Sequence, residues 1–104
     1  PMSLGALSIE SFELRNTRQP GKTRMTAILR NRSKLPTRWP AMELTLTGPS
    51  NAVVVRKVLL PSQYLENPRA QAAGMPPNSE QPIDLLLETS DLNLAGYSVA
   101  LFYP

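Results

Sequence analysis

Eight carboxylates are the side chains best placed to do acid–base chemistry in this 104-residue chain, because it has no histidine and no cysteine. Without histidine the commonest general base and metal ligand is missing; without cysteine, thiolate zinc sites and disulfides are excluded. A glycosidase-like pair would be drawn from Glu10, Glu13, Glu43, Glu66, Glu80, Asp84, Glu88 and Asp91. Most of these fall on outward strand phases or in loops, where a solvated, ordinary carboxylate is expected. The five glycines are scattered singly and make no phosphate-cradling loop. No serine or threonine has a base beside it in sequence. The expectation is a protein that is not an enzyme and holds no cofactor or metal.

The second chemical feature is a basic block. Between Glu13 and Glu43 there is no acidic residue, while Arg15, Arg18, Lys22, Arg24, Arg30, Arg32, Lys34 and Arg38 all lie in that interval. The net charge of the whole chain is only +3. Such a run either meets an anionic surface or forms the solvated faces of strands and turns, and charge runs more often do the second. If the strands flanking the block are neighbours, Arg24, Arg30, Arg32, Lys34 and Arg38 gather on one face and its loop, making them the candidate contacts for phospholipid headgroups. Nucleic acid is less suited, since stacking needs exposed aromatics and only Trp39 adjoins the block. A lone indole more often fills volume than serves as a platform.

The elements that must position these groups read as strands. The segment Trp39–Thr47 alternates Met42, Leu44 and Leu46 with Glu43, Thr45 and Thr47, the period-two pattern of a strand with one buried face. Gly48-Pro49-Ser50-Asn51 supplies a turn into Ala52–Leu60, which Pro61 stops. The second of these runs is apolar on both faces around Arg56 and Lys57, which predicts a central, doubly covered strand. Upstream, Leu7 and Ile9 hold one phase while Phe12 and Leu14 hold the other, a slip that predicts a β-bulge. Pro20-Gly21 predicts a type II turn into a strand with either Met25, Ala27 and Leu29 or Thr26 and Ile28 inward, the first set being the more apolar and so preferred. In the loop that follows, Asn31 and Ser33 are placed to bond their own backbone, and Pro40 cannot sit in the middle of a ladder.

After Pro61 the chain predicts one helical turn through Leu65, with Tyr64 folding back to close an end of the core. Glu66–Gln81 reads as a long loop, either mobile or functional, with at most a helical turn at Ala70–Ala73. Alternation returns at Pro82–Glu88, with Ile83, Leu85 and Leu87 inward. A turn over Asp91–Gly96 leads to Tyr97–Tyr103, whose two apolar faces predict a strand inside a sheet. Six such runs with turns between them read as a two-sheet antiparallel sandwich. No apolar run reaches the roughly 20 residues that cross a bilayer, and nothing reads as a signal peptide. Pro1 precedes the first methionine, which reads as the edge of a cut fragment.

Three stretches together resemble a known family: Leu29-Arg30-Asn31-Arg32-Ser33 followed by Trp39–Leu46; Val55–Leu65 with its Pro-x-x-Tyr-Leu corner; and Ala95–Pro104 with Gly96-Tyr97 opening the last strand. They are similar to the uncharacterised C-terminal domain, of unknown function, of proteobacterial proteins that carry an N-terminal zinc ribbon and a single transmembrane helix. The resemblance covers most of the chain. Where that family often has glycine, this chain has Ala27 and Asn78; asparagine tolerates left-handed backbone and alanine does not. The resemblance implies an immunoglobulin-like domain tethered to the inner membrane and facing the periplasm, without enzymatic activity, and it brings no functional residues.

Taken together, the expectation is an all-β, immunoglobulin-like antiparallel β-sandwich of about six or seven strands. Residues 7–104 form the single domain, and residues 1–6 are a disordered or cloning-derived leader. Its role is that of a periplasmic interaction or structural module of a membrane-anchored bacterial protein, with an envelope protein as partner. The alternative is a basic module that binds anionic surfaces, phospholipid headgroups or nucleic acid. A small-molecule substrate is not expected.

Overall fold

The structure, a computed structural model, describes residues 4–50, 52–89 and 94–104, and Val54 by its backbone alone. A 3-10 turn at Leu4–Ala6 leads into β1 (Leu7–Asn16), β2 (Lys22–Asn31), β3 (Ala41–Thr47) and β4 (Val53–Leu59). Two short helices follow, α1 (Pro61–Tyr64) and α2 (Pro68–Ala73), and then β5 (Ser79–Glu88) and β6 (Gly96–Phe102). The six strands make two three-stranded antiparallel sheets, ordered β1-β2-β5 and β4-β3-β6. Among the described residues no helix is long and apolar enough to cross a membrane.

The inward phases are those the alternation predicts. Met25 and Leu29 of β2 and Met42, Leu44 and Leu46 of β3 are fully buried, so the two central strands face each other across the core. Ile83 and Leu87 add the β5 side, with Leu85 partly buried against them. The phase slip in β1 is a register shift between Ile9 and Ser11, with Glu10 as the extra residue, which returns Phe12 and Leu14 to the core side. Gly21 has φ 79° and Lys22 N–H donates to the Gln19 carbonyl (3.2 Å), the type II geometry expected of Pro20-Gly21. Asn78 has φ 50°, the left-handed backbone inferred for it.

Four expectations need correction. β4 is not a central strand: among the described residues it pairs only with β3, and Val53 and Val58 are about half exposed (52% and 46%). β6 is likewise an edge, paired among the described residues only with β3. Apolar character on both faces was read as double cover, but β3 holds the middle of that sheet and the outward Val53 and Val58 are left about half exposed. β2 and β3, expected as possible neighbours, lie in different sheets. The Glu66–Gln81 stretch is not structureless either. Asn67 caps α2 by accepting from Arg69 N–H (2.9 Å), Met75 and Thr37 exchange both backbone hydrogen bonds (3.0 and 2.7 Å), and β5 begins at Ser79. Most of the turn expected over Asp91–Gly96 lies outside the described residues.

One end of the sandwich is closed as the Pro61 corner predicts. Tyr64, the last residue of α1, is buried and its hydroxyl donates to the Pro40 carbonyl (2.7 Å), while Trp39 meets its ring edge-on and donates Nε1–H to the Ala70 carbonyl (2.8 Å). The same end holds Asn31, fully buried. Its amide nitrogen faces the carbonyls of Leu35, Met75 and Pro76 (3.3, 3.2 and 3.0 Å), and its Oδ1 accepts from Ser33 N–H (2.9 Å).

Candidate interaction surfaces

Side chains at even positions of β2 point away from the core, which sets Lys22, Arg24 and Arg30 on the outer face of the β1-β2-β5 sheet. That face is laced with ion pairs. Arg24 reaches Asp84 (2.7 Å), Arg30 reaches Glu80 (2.7 Å), Arg32 reaches Glu10 (2.7 Å), Lys22 lies 3.8 Å from Glu88, and Arg15 holds Glu13 (2.8 Å). Arg15's hydrogen bond and charge hold the Glu13 carboxyl below its ordinary range. These pairs join five cations to five carboxylates, so the face has no net charge and the chain's excess of +3 lies elsewhere.

The five candidate headgroup contacts are therefore divided. Arg24, Arg30 and Arg32 share this balanced face, each with an acidic partner from β1 or β5. Lys34 is exposed in the loop between β2 and β3 beside Leu35, which is 61% exposed. Arg38 lies further along that loop, its guanidinium 5.7 Å from the centre of the Tyr103 ring, while Tyr103 Oη–H donates to the Arg38 carbonyl (2.8 Å). Sequence reasoning missed the acidic partners, which come from strands remote along the chain. Among the described residues no three carboxylates gather as metal ligands would.

The edges of the sheets differ more than their faces. Thr89 N–H donates to the Gly21 carbonyl (2.8 Å), which fixes the pairing phase of β5 on β2 and points the backbone of Pro82 outward. There proline has no N–H to offer, and its carbonyl is occupied by Gln81 Nε2–H (2.8 Å). A groove of about 420 Å³, lined by Gln63 of α1, Glu66 between the two helices, Ala70 of α2 and Pro82 and Asp84 of β5, lies beside this edge. β1 is broken by its bulge at Glu10, carries Glu13 and Arg15, and has its Phe12 carbonyl covered by the Tyr97 hydroxyl (3.4 Å). β4 has a register shift near Val53 and sets Arg56 and Lys57 in its middle, with Lys57 opposite Leu44 on the core side. Bulges, prolines and inward charges of this kind are the devices by which edge strands avoid pairing.

β6 has none of them. Its seven residues, Gly96–Phe102, contain no charge and no proline, and its pairing with β3 runs without a register shift. Gly48 N–H donates to the Ala52 carbonyl (3.0 Å), so even positions of β3 bond β4 and odd ones bond β6. By that alternation the N–H and C=O groups of Tyr97, Val99 and Leu101 point away from the sheet. No described strand lies against them. The Tyr97 ring stacks on Phe12 (centroids 4.7 Å apart) and remains 47% exposed at the seam between the two sheets.

The model of a family described as a protein of unknown function (DUF3426) matches residues 4–101. Comparison with curated proteins and with solved structures returns no match.

Proposed function

The chain belongs to this family of unknown function, DUF3426, and on that premise we propose that it is a non-enzymatic interaction module that binds a protein through the open edge of β6. The observation that carries the reading is the contrast among the four edges: three are obstructed by bulge, proline or charge, and β6 is not. An extended segment laid along β6 would satisfy the outward backbone groups of Tyr97, Val99 and Leu101, with main-chain bonds giving affinity and alternate side chains giving selectivity. The strand order supports an immunoglobulin-like reading as well, since β1-β2-β5 and β4-β3-β6 correspond to A-B-E and C′-C-F of that sandwich. The setting we propose is the periplasmic side of the inner membrane, as part of a single-pass membrane protein. It rests on the resemblance of the Asn-Arg-Ser turn, the Pro-x-x-Tyr-Leu corner and the Gly-Tyr strand start.

The experiment places a photo-activated cross-linking residue at Ser98, exposed on β6, and as a control at Ser11, exposed on the balanced face. Adducts in the native cell that form from position 98, not from 11, and disappear in a Val99→Pro background are expected. Equal labelling from both positions refutes the edge as the binding element.

A further inference from the structure

The partner that fits β6 best is β6 itself. We infer that two copies of this chain associate through antiparallel pairing of their β6 strands about a two-fold axis at Val99, a reading that rests on the open edge proposed above. A two-fold contact must be self-complementary, because each residue meets its counterpart in the reversed strand. Centred on Val99, the outward backbone groups fall opposite one another: Tyr97 faces Leu101 of the second copy, and Val99 faces Val99. These are the positions whose N–H and C=O groups are free of β3, so each facing pair can exchange two backbone hydrogen bonds.

Side chains agree with that register. Toward the core side, Tyr97 faces Leu101 and Val99 faces Val99, apolar side chains that would shield one another from water across the junction. The half-exposed Tyr97 ring would be covered. Toward the outer side, Ser98 faces Ala100, two small exposed residues that let the strands approach without steric conflict. No charge occurs anywhere in the strand, so the two-fold sets no like charges in opposition. The result joins two three-stranded β4-β3-β6 sheets into one continuous sheet and leaves no unpaired β6 edge.

The test is sedimentation equilibrium of the 104-residue chain over a wide concentration range. Wild type is expected to show a reversible monomer–dimer equilibrium. Val99→Pro removes one outward N–H at the axis, but proline can also disturb the strand, so a second pair of variants avoids the backbone. Ser98→Lys/Ala100→Lys sets like charges opposite one another across the axis at two exposed positions. It should weaken dimerisation at least about tenfold, and so should Ser98→Glu/Ala100→Glu. Mixing the lysine and glutamate variants should restore a dimer containing one of each. A wild type that stays monomeric throughout, or charge variants that dimerise as wild type does, overturns self-pairing. Specific cross-links from Ser98 to other proteins in the cell would then still sustain the edge as a binding element, so the two readings fail separately.

Discussion

Replacing Asn31 tests whether one buried amide holds the Tyr64 end of the sandwich together. Its side chain is fully buried at the end of β2 and supplies two N–H donors to a space where three carbonyls converge, from Leu35, Met75 and Pro76. Its oxygen is the acceptor for Ser33 N–H. Asn31→Ala therefore removes two donated bonds and one accepted bond. At about 0.5–1.5 kcal/mol net for each of the three bonds, the loss is about 1.5–4.5 kcal/mol. The cost falls in the lower half of that range, because Met75 keeps its bond from Thr37 N–H and Pro76 keeps its bond from the Ser79 hydroxyl. Asn31→Asp is the sharper probe. It preserves shape and the Ser33 contact but aims an anionic oxygen at the three carbonyls, so it should destabilise more than alanine does at neutral pH. That environment raises the new carboxyl's pKa above its unfolded value of about 3.9. A raised folded pKa means that stability is retained below the unfolded value and lost as pH rises through the folded one. The gap between the aspartate variant and wild type should thus narrow toward pH 4. Urea unfolding followed by the single tryptophan, Trp39, measures all three proteins across pH. An aspartate variant as stable as wild type at pH 7, or an alanine variant within about 0.5 kcal/mol of it, a surface-like value, would refute the hub.

Leu44→Ala empties a fully buried site at the centre of β3 and should cost about 2–5 kcal/mol in the same unfolding assay; less than about 1 would mean that β3 does not face the core. Tyr64 carries a hydroxyl whose pKa is raised, chiefly by burial and secondarily by Tyr103. Its neutral form is the one the fold holds, so wild-type stability should be intact below about pH 10 and fall above it. Tyr64→Phe should lose about 1 kcal/mol at pH 7 and show a shallower alkaline decline, read by urea titrations at pH 8 and 11. Gly74 has φ 82° and a side-chain carbon there would stand 3.0 Å from the Thr37 carbonyl, so Gly74→Ala should cost about 1–3 kcal/mol by thermal unfolding. Because Arg24, Arg30 and Arg32 are matched by carboxylates, replacing all three with glutamine should leave co-sedimentation with anionic vesicles unchanged at physiological salt; a loss would assign headgroup binding to that face.

Local chemistry was legible in the chain and neighbour choice was not. Alternation in β2, β3 and β5 gave the buried faces because side-chain direction depends only on position along a strand. The β1 bulge, the Pro20-Gly21 turn and the Asn31 and Ser33 turn bonds were readable because each is set within a few residues or by a fixed backbone angle; the Pro61 corner marked where Tyr64 turns back, but not its acceptor, the distant Pro40 carbonyl. Whether β4 and β6 lie at an edge depends on what else pairs with β3, and no local pattern encodes that. The apolar outer residues of β6 looked like evidence of cover on both sides. The basic block was visible as charge, but Arg24 finds Asp84 and Arg30 finds Glu80 only through the pairing of β2 with β5. Of the proposed binding element, the sequence displayed composition alone; its openness required the other three edges for comparison.

The pairing of β3 sets a timetable. One side of that strand is filled at once by β4 through a short turn, but the other waits for β6, with Leu44 meeting Val99 and Ala41 meeting Phe102. β2 waits in the same way for β5. During synthesis at roughly 5–20 residues per second, an emerging chain therefore spends seconds with the backbone of its most buried strand unpaired along one side. Sheets built from such distant partners fold slowly, on the order of milliseconds to seconds once the chain is released. In that interval the Met42, Leu44 and Leu46 face is exposed together with a vacant strand position beside it, so the nascent chain is most vulnerable to misassembly just before β6 arrives.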